Sequence, residues 1–353
     1  MRIAQVAPLI ESVPPRLYGG TERVVSYLTE ALVAAGEDVT LYATGDSETS
    51  ARLVPAWPRA LRLDPSSTDT IAPHFVMLEK VFADLDRYDV VHFHCDYLHF
   101  PWSSRHRFCH VTTFHGRLDL AELVPLHRAF PRMPAVSISD SQRRPLPFLD
   151  WAGTVHHGLP LDLYTPSYEP GRYLVFVGRM SPEKRVDRAI TIATRCGLPL
   201  KIAAKVDRAD QAYFDEAIRP LLDHPLVEFC GEVGGRAKND LIAGASALLF
   251  PIDWPEPFGL VAIEAMACGT PVIAWRNGAL PEIVEEGTTG VLIESIAEGA
   301  RAVEGIARID RRGCRRAFER RFAATRMAND YVELYRRVRA RTGETGGRRH
   351  QAP

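Results

Sequence analysis

The chain has 353 residues, 46% of them hydrophobic and 25% charged, an ordinary globular composition with length for roughly two domains, which excludes a fibrous or disordered polymer. Forty-three basic side chains against forty-four acidic ones leave a formal charge of −1, so the chain lacks the positive field that gathers nucleic-acid phosphates, and no nucleic-acid partner is expected. Its apolar stretch from 259 to 275 is broken by Glu264 and Pro271 and falls short of the roughly 20 residues that cross a bilayer.

In chain order, MRIAQVAPLI opens with a strand over 2–6; its apolar run is too short for the core of a signal peptide, so export is not expected. Tyr18-Gly19-Gly20-Thr21 leads into the amphipathic helix TERVVSYLTEALVAAG, which closes at Gly36. Strands follow over 38–42, 89–94, 110–114 and 135–139. HHGLPLDLYTPSYEPGRY, rich in Pro, Gly and Tyr and without a period, then marks a boundary. A second set of strands runs over 173–177, 200–204, 227–230, 247–250 and 271–274. Between 312 and 339 the apolar residues Phe318, Phe322, Met327, Tyr331, Leu334 and Tyr335 keep a helical period, with a possible break over 323–326.

Short β-branched runs alternating with helical patterns predict an α/β protein of two doubly wound domains, 1–165 and 166–325. A terminal helix over 326–340 should pack back on the first, followed by a flexible tail over 341–353. Ligands of open α/β sheets bind outside the carboxyl ends of the strands, which places the expected site in the cleft between domains. Cys95, Cys109, Cys196, Cys230, Cys268 and Cys314 are scattered without a close pair, which suits neither a disulfide framework nor a structural zinc site and reads as reduced thiols in a cytoplasm. The basic segment RRVRARTGETGGRRH reads as a solvated charged tail, with contact to an anionic membrane surface left open.

Four segments carry candidate chemistry. In PIDWPEPFGLVAIEAMACGTPVIAWRNGALPEIV, 251–284, a buried strand leads into a loop with Glu256, a helix opened by Gly259, and Glu264 inside an apolar helical run. A helix start seats a phosphate, and a carboxylate accepts hydrogen bonds from sugar or ribose hydroxyls. The bland alternative is a solvated loop Glu and a paired helix Glu; Glu264 in particular needs a partner. In YLVFVGRMSPEKRVDRAI, 173–190, Arg179 and Lys184 stand at a strand end where they could hold a diphosphate, unless Glu183, Lys184 and Arg185 merely pair among themselves. Gly19 and Gly20 let backbone approach a ligand at a helix start, or simply form a turn. In DVVHFHCDY, His92 and His94 share a strand face with Asp96 just beyond, and His115 ends the next strand. These could form a divalent metal site, the best rival chemistry, or be strand histidines satisfied by neighbouring backbone groups. No G-x-S-x-G or G-x-x-x-x-G-K-[ST] is present. Asp84 and Asp86 form a D-x-D on a predicted helix, read as a solvated face.

In this order the segments resemble the retaining GT-B glycosyltransferases of family 4, the glycosyltransferase group 1 type, over nearly the whole chain. The most specific marker is E-x7-E, here EPFGLVAIE from Glu256 to Glu264, followed by EAMACGTPVIA and GALPEIVEEGTTGVLI. PPRLYGGTERVVSYL, TFHGR, VGRMSPEKRVD and YVELYRR stand at matching places. The resemblance implies two Rossmann-like domains facing a central cleft, the first on the acceptor side and the second binding a nucleotide sugar. Carried over, Glu264 binds the ribose hydroxyls and Glu256 those of the sugar, while Arg179 and Lys184 hold the diphosphate. The backbone of Gly19 and Gly20 closes on the donor, the N–H groups of Phe258 and Gly259 add donors, and His115 sits beside the anomeric carbon. Asp96 lines the acceptor side.

The expected activity is a metal-independent, retaining hexosyl transfer, of glucose from a UDP-linked donor, to an acceptor hydroxyl that is left open, as is the oligomeric state. No cofactor is expected: the developing charge on the diphosphate falls to Arg179, Lys184 and the helix start, and the leaving phosphate takes the acceptor's proton. The alternatives are a metal-dependent hydrolase using His92, His94 and Asp96, or a nucleotide-sugar epimerase on the same fold. The chain departs from the family's pattern at Gly278-Ala279-Leu280-Pro281-Glu282, at His157-Gly158-Leu159-Pro160 and at AAKVDRAD, where Lys205 becomes a candidate phosphate or nucleotide contact.

Overall fold

Among the described residues of a computed structural model, 1–16 and 19–347, with the side chains of 343–347 left aside, thirteen strands form two parallel sheets. Tyr18 of the glycine turn and the end of the expected tail, 348–353, lie outside the described residues. One unit comprises Met1–Pro160 and the chain from Ala324 onward. Its sheet holds β1 (Arg2–Val6), β2 (Asp38–Thr44), β3 (Arg52–Trp57), β4 (Val90–Phe93), β5 (His110–Thr113), β6 (Ala135–Ser137) and β7 (Trp151–Thr154), in spatial order β3-β2-β1-β4-β5-β6-β7. Ile3 stands in register with Val39 on one side and Val90 on the other. Strands covered on both faces read as continuous apolar runs, and Ile3, Ala4, Val6, Val91 and Phe93 are all buried. The helix Gly20–Ala34 turns Val24, Val25, Leu28 and Leu32 inward, a spacing that keeps one face on the sheet.

The second unit, Leu161–Ala323, holds β8 (Leu174–Arg179), β9 (Leu200–Lys205), β10 (Val227–Gly231), β11 (Ala247–Phe250), β12 (Val272–Trp275) and β13 (Gly290–Ile293), in spatial order β10-β9-β8-β11-β12-β13. Its core joins Leu174, Phe176, Ile190, Ile202, Leu249 and Ile273. The expected limits at 165 and 325 lie five and two residues beyond the observed ones. Residues 161–165 are tied into the second unit: Arg315 donates to the carbonyls of Leu161 at 2.6 Å and Tyr164 at 3.0 Å, and Asn239 Oδ1 accepts from Thr165 N at 2.8 Å.

The break in the terminal helical period separates Arg311–Arg321 from Ala324–Gly347, and the chain changes units there. The last helix runs past the expected end at 340 and buries Met327, Tyr331, Leu334 and Tyr335 in the first unit. Leu334 packs so tightly on β7 that a Cβ at Gly153 would lie 2.9 Å from its Cδ1. β3, β7 and β13 escaped the sequence reading, and all three are sheet edges. An edge strand meets less core, so Pro55 in β3 and Gly153 in β7 are tolerated and the apolar signal fades there, whereas β13, GVLI, is largely buried.

Candidate active site

In the second unit the winding reverses between β8 and β11, which are neighbours in the sheet; such a switch point opens a crevice at the carboxyl ends of the strands. β8 ends at Arg179, and one 3-10 turn, Pro182–Lys184, follows. The loop after β11 brings Glu256 to it: Lys184 Nζ lies 2.5 Å from Glu256 Oε2 and 5.3 and 5.6 Å from the ring centres of Trp254 and Phe250. Trp254 Nε1 donates to the same carboxylate oxygen at 2.8 Å. The loop after β12 closes on this carboxylate's backbone. Gly278 is left-handed (φ +57°), a Cβ there would lie 2.3 and 2.4 Å from Glu256 N and O, and Ala279 N donates to Glu256 O at 2.9 Å. Only glycine fits.

The cations of the β8 loop do not pair among themselves. Arg179 goes to Glu183 at 2.5 Å, with Asp210 3.9 Å away, and Lys184 goes to Glu256. Arg185 goes to Asp187 at 2.8 Å and Asp253 at 2.7 Å. It also holds a left-handed backbone (φ 52°), which costs a residue with a side chain on the order of 1 kcal/mol and is kept by those two carboxylates. Lys205, at the end of β9, pairs with Asp207 at 2.9 Å.

Glu264 lies in the helix Leu260–Ala267, whose N-cap Gly259 is left-handed (φ 93°) with no room for a Cβ against Phe250, 2.9 Å away. Its side chain is buried, and its partner is Lys238 Nζ at 2.6 Å, from the helix Gly235–Ala243. Sequence reasoning demanded a partner for Glu264 but missed Lys238; the apolar run around Glu264 was the signal, and no spacing rule joins positions on separate helices. Phe258 commits its side chain to the core, edge-on to Phe322 at 6.2 Å.

In the first unit the winding reverses between β1 and β4, and the loops after β1, β4 and β5 carry its candidates. Gly20 opens the helix and Gly19 caps it without a side-chain bond. A Cβ on Gly19 would lie 2.8 Å from Pro15 Cβ, so its missing side chain serves loop packing. Beside it Glu11 pairs with Arg62 at 2.9 Å, and burial, together with the like charge of Glu11, raises the Glu22 carboxyl above its ordinary value.

His92 and His94 are satisfied by side chains instead of backbone groups. His92 Nδ1 meets Tyr335 Oη and its Nε2 meets Thr113 Oγ1, both at 2.7 Å. His94 Nε2 meets Gln5 Oε1 at 2.7 Å and its Nδ1 meets His115 Nε2 at 2.9 Å. Burial holds His92 and His94 well below the ordinary imidazole value and pushes His115 down to about 3. With both nitrogens of His92 and of His94 taken, the rival metal site does not form, and no group of three or more His, Cys, Asp or Glu among the described residues could hold a metal. Asp96, left-handed (φ 50°), reaches the surface. Enough protein surrounds its carboxyl to push it up to about 6. Asp84 ends the helix Ile71–Ala83 and accepts from Tyr42 Oη at 3.0 Å, so it is a structural contact and not part of a solvated helix face.

Two family models match, Glycosyltransferase Family 4 over residues 18–180 and Glycosyl transferases group 1 over residues 165–316. The chain belongs to the GT-B glycosyltransferases of family 4 and is an enzyme of that class. An uncharacterized glycosyltransferase of Methanocaldococcus jannaschii is 24% identical over 84% of this chain and 87% of its own. D-inositol 3-phosphate glycosyltransferase of Mycolicibacterium smegmatis is 30% identical, but over 40% of this chain and 36% of that one. Among solved structures, AviGT4, a glycosyltransferase involved in avilamycin A biosynthesis, superposes with a TM-score of 0.74 at 27% identity, covering 96% and 98% of the two chains. Anabaena HepE, in complex with UDP and glucose, superposes with a TM-score of 0.73 at 18% identity, covering 94% and 98%. No helix among the described residues is long and apolar enough to cross a membrane, and the six cysteines are unpaired.

Proposed function

We propose that this chain moves glucose from UDP-glucose to an acceptor hydroxyl, with retention of configuration and without a metal ion, in a reducing cytoplasmic compartment. The observation that carries the reading is the pair of carboxylate–lysine contacts at one switch point, Glu256 with Lys184 and Glu264 with Lys238. A diphosphate entering there draws Lys184 from Glu256 to itself, which frees Glu256 to accept from the sugar's hydroxyls. Glu264, paired with Lys238, accepts from the ribose diol. Arg179, held over this crevice by Glu183, joins Lys184 and the N–H groups of Phe258 and Gly259 in stabilising charge as it develops on the departing phosphate.

The sugar then reacts with oxocarbenium character, and the acceptor enters on the face the diphosphate leaves, whose oxygen takes the acceptor's proton; no side-chain base is assigned. His115 places the donor sugar, the backbone of Gly19 and Gly20 closes on the donor, and Asp96 lines the acceptor side. The neighbour that holds UDP and glucose supports the donor. Neither the geometry nor the comparisons favour a metal-dependent hydrolase or an epimerase.

The test is nucleotide release from UDP-, GDP- and ADP-sugars, with and without chelator, comparing the parent with Glu264→Ala and Lys184→Ala. Release from UDP-glucose that survives chelation and falls at least tenfold in both variants is the expected result. Release from none of the donors, with no thermal stabilisation by any, overturns the reading.

A further inference from the structure

A buried hydrogen-bond chain of six links runs through the first unit: Tyr331–Thr113 at 2.9 Å, Thr113–His92 and His92–Tyr335 at 2.7 Å, Tyr335–Gln5 at 3.1 Å, Gln5–His94 at 2.7 Å and His94–His115 at 2.9 Å. Most of its members are reversible, because a hydroxyl or a neutral imidazole can donate at either of two places. Gln5 is different. Its two ends are one acceptor and one donor, and it is fully buried. Oε1 faces His94 Nε2, and Nε2 donates to Tyr335 Oη.

That single amide directs everything on both sides. His94 Nε2 must carry the proton, so His94 Nδ1 is bare and accepts from His115 Nε2–H. On the far side Tyr335 Oη, having accepted from Gln5, donates to His92 Nδ1, and His92 Nε2–H donates to Thr113 Oγ1. His115 is left with an unprotonated Nδ1. That atom is buried and has no partner among the described residues, although the side chain as a whole is only half-buried. The groups that face His115 are His94 at the end of β4 and His157 after β7, whose ring lies nearly parallel at 5.3 Å; Arg326 bonds the His157 carbonyl at 2.9 Å. All three imidazoles are held neutral by burial.

An unpaired buried acceptor is unfavourable until something donates to it. A bare nitrogen accepts from a hydroxyl and repels a phosphate or carboxylate oxygen. We infer that Gln5 is a positioning residue which, through His94, locks His115 as the Nε2–H tautomer so that Nδ1 accepts a hydrogen bond from a hydroxyl of the donor sugar. This rests on the glycosyl-transfer reading above. It selects for a hydroxyl-bearing sugar at that place and adds Gln5, His94 and Tyr335 to the residues on which donor recognition depends.

Two measurements test it. Long-range 1H–15N spectra of the full-length, histidine-labelled protein without donor should show His115 protonated on Nε2 and bare on Nδ1, and Gln5→Met should turn this into a mixture of tautomers. Should Gln5→Met not fold, Tyr335→Phe, which removes the acceptor that holds the amide, should give the same mixture. A proton on Nδ1 in the parent, or a tautomer unmoved in the folded variant, overturns the lock.

In the second measurement the parent is given a series of deoxy-sugar nucleotide donors. Loss of one hydroxyl should lower kcat/KM on the order of tenfold, through KM, and that same loss should cost clearly less in Gln5→Met, in proportion to the fraction that keeps Nδ1 bare. Equal losses in parent and variant overturn the assignment of Nδ1 to a sugar hydroxyl. If no nucleotide sugar binds the parent at all, the transfer reading and the sugar assignment fall together, while the spectra decide the tautomer lock on their own.

Discussion

Glu256→Gln should strengthen the binding of bare UDP while weakening that of UDP-glucose. Lys184 Nζ sits 2.5 Å from Glu256 Oε2, with the side chains only 16% and 13% exposed. At an effective dielectric of about 20, the attraction at that separation is roughly 7 kcal/mol before desolvation. Partial burial of both charges takes back most of it and leaves a net coupling of about 2 kcal/mol. A diphosphate that recruits Lys184 must first break this contact, and it also meets the carboxylate's like charge. Neutralising Glu256 removes both penalties, so the affinity for UDP should rise about tenfold, equivalent to about 1.4 kcal/mol. UDP-glucose gains the same amount at its phosphates but loses the charge-assisted bonds to its sugar, each worth about 1.5–3 kcal/mol, and should bind more weakly than to the parent. Lys184→Met should weaken both ligands. Isothermal titration calorimetry at fixed ionic strength on the parent, both single variants and the double variant gives all the terms, including the coupling from the cycle. A fall in UDP affinity on Glu256→Gln, or a coupling below about 0.5 kcal/mol, would refute the competition between the carboxylate and the phosphate for Lys184.

Acid should destabilise the fold well above the carboxylate range. Burial pushes His110 from 6.5 down to about 4 and His115 to about 3, so the unfolded chain takes up protons below pH 6.5 that the folded one refuses, and stability falls as pH drops from 6.5 toward 4. At about 1.4 kcal/mol per tenfold in proton affinity, His110 alone accounts for about 3 kcal/mol across that window; urea midpoints from pH 7.5 to 4.5 measure it, and a flat profile would contradict the burial argument. Gly278→Ala should lower stability by at least about 2 kcal/mol, because the new Cβ meets Glu256 N and O at 2.3 and 2.4 Å in a left-handed turn. It should also displace the Glu256 loop and reduce UDP-glucose affinity, so a variant with parental melting temperature and affinity would show that this loop is not braced as described. Lys238→Met leaves the Glu264 side chain, 7% exposed, without its cation. It should destabilise the second unit by about 3 kcal/mol and abolish nucleotide protection in thermal melts; unchanged protection by UDP would remove Glu264 from the nucleotide contacts.

Much of the architecture was legible along the chain. The central strands β1, β4, β8 and β11 are buried on both faces, and an apolar run with turn residues at its ends records that burial locally. The edges β3 and β7 were not legible, because an edge half in solvent carries no such run and accepts Pro55 or Gly153; β13, GVLI, is a short buried apolar run that was passed over. The apolar surroundings of Glu264 demanded a partner for its charge, and the fold supplies Lys238. Lys238 could not be named from them.

Length, periodicity and charge by themselves determined two parallel, helix-covered sheets, and with them the strand ends where Arg179, Lys184, Glu256 and His115 stand. Tertiary structure alone decided which polar groups meet. Lys184 finds Glu256 across 72 positions, and Gln5 finds Tyr335 across 330. The reason is physical: burial of apolar surface leaves a period in the neighbouring residues, whereas a buried charge or amide is satisfied by whatever the strand order carries beside it. That order places β8 against β11 and β1 against β4, and no spacing along the chain records it.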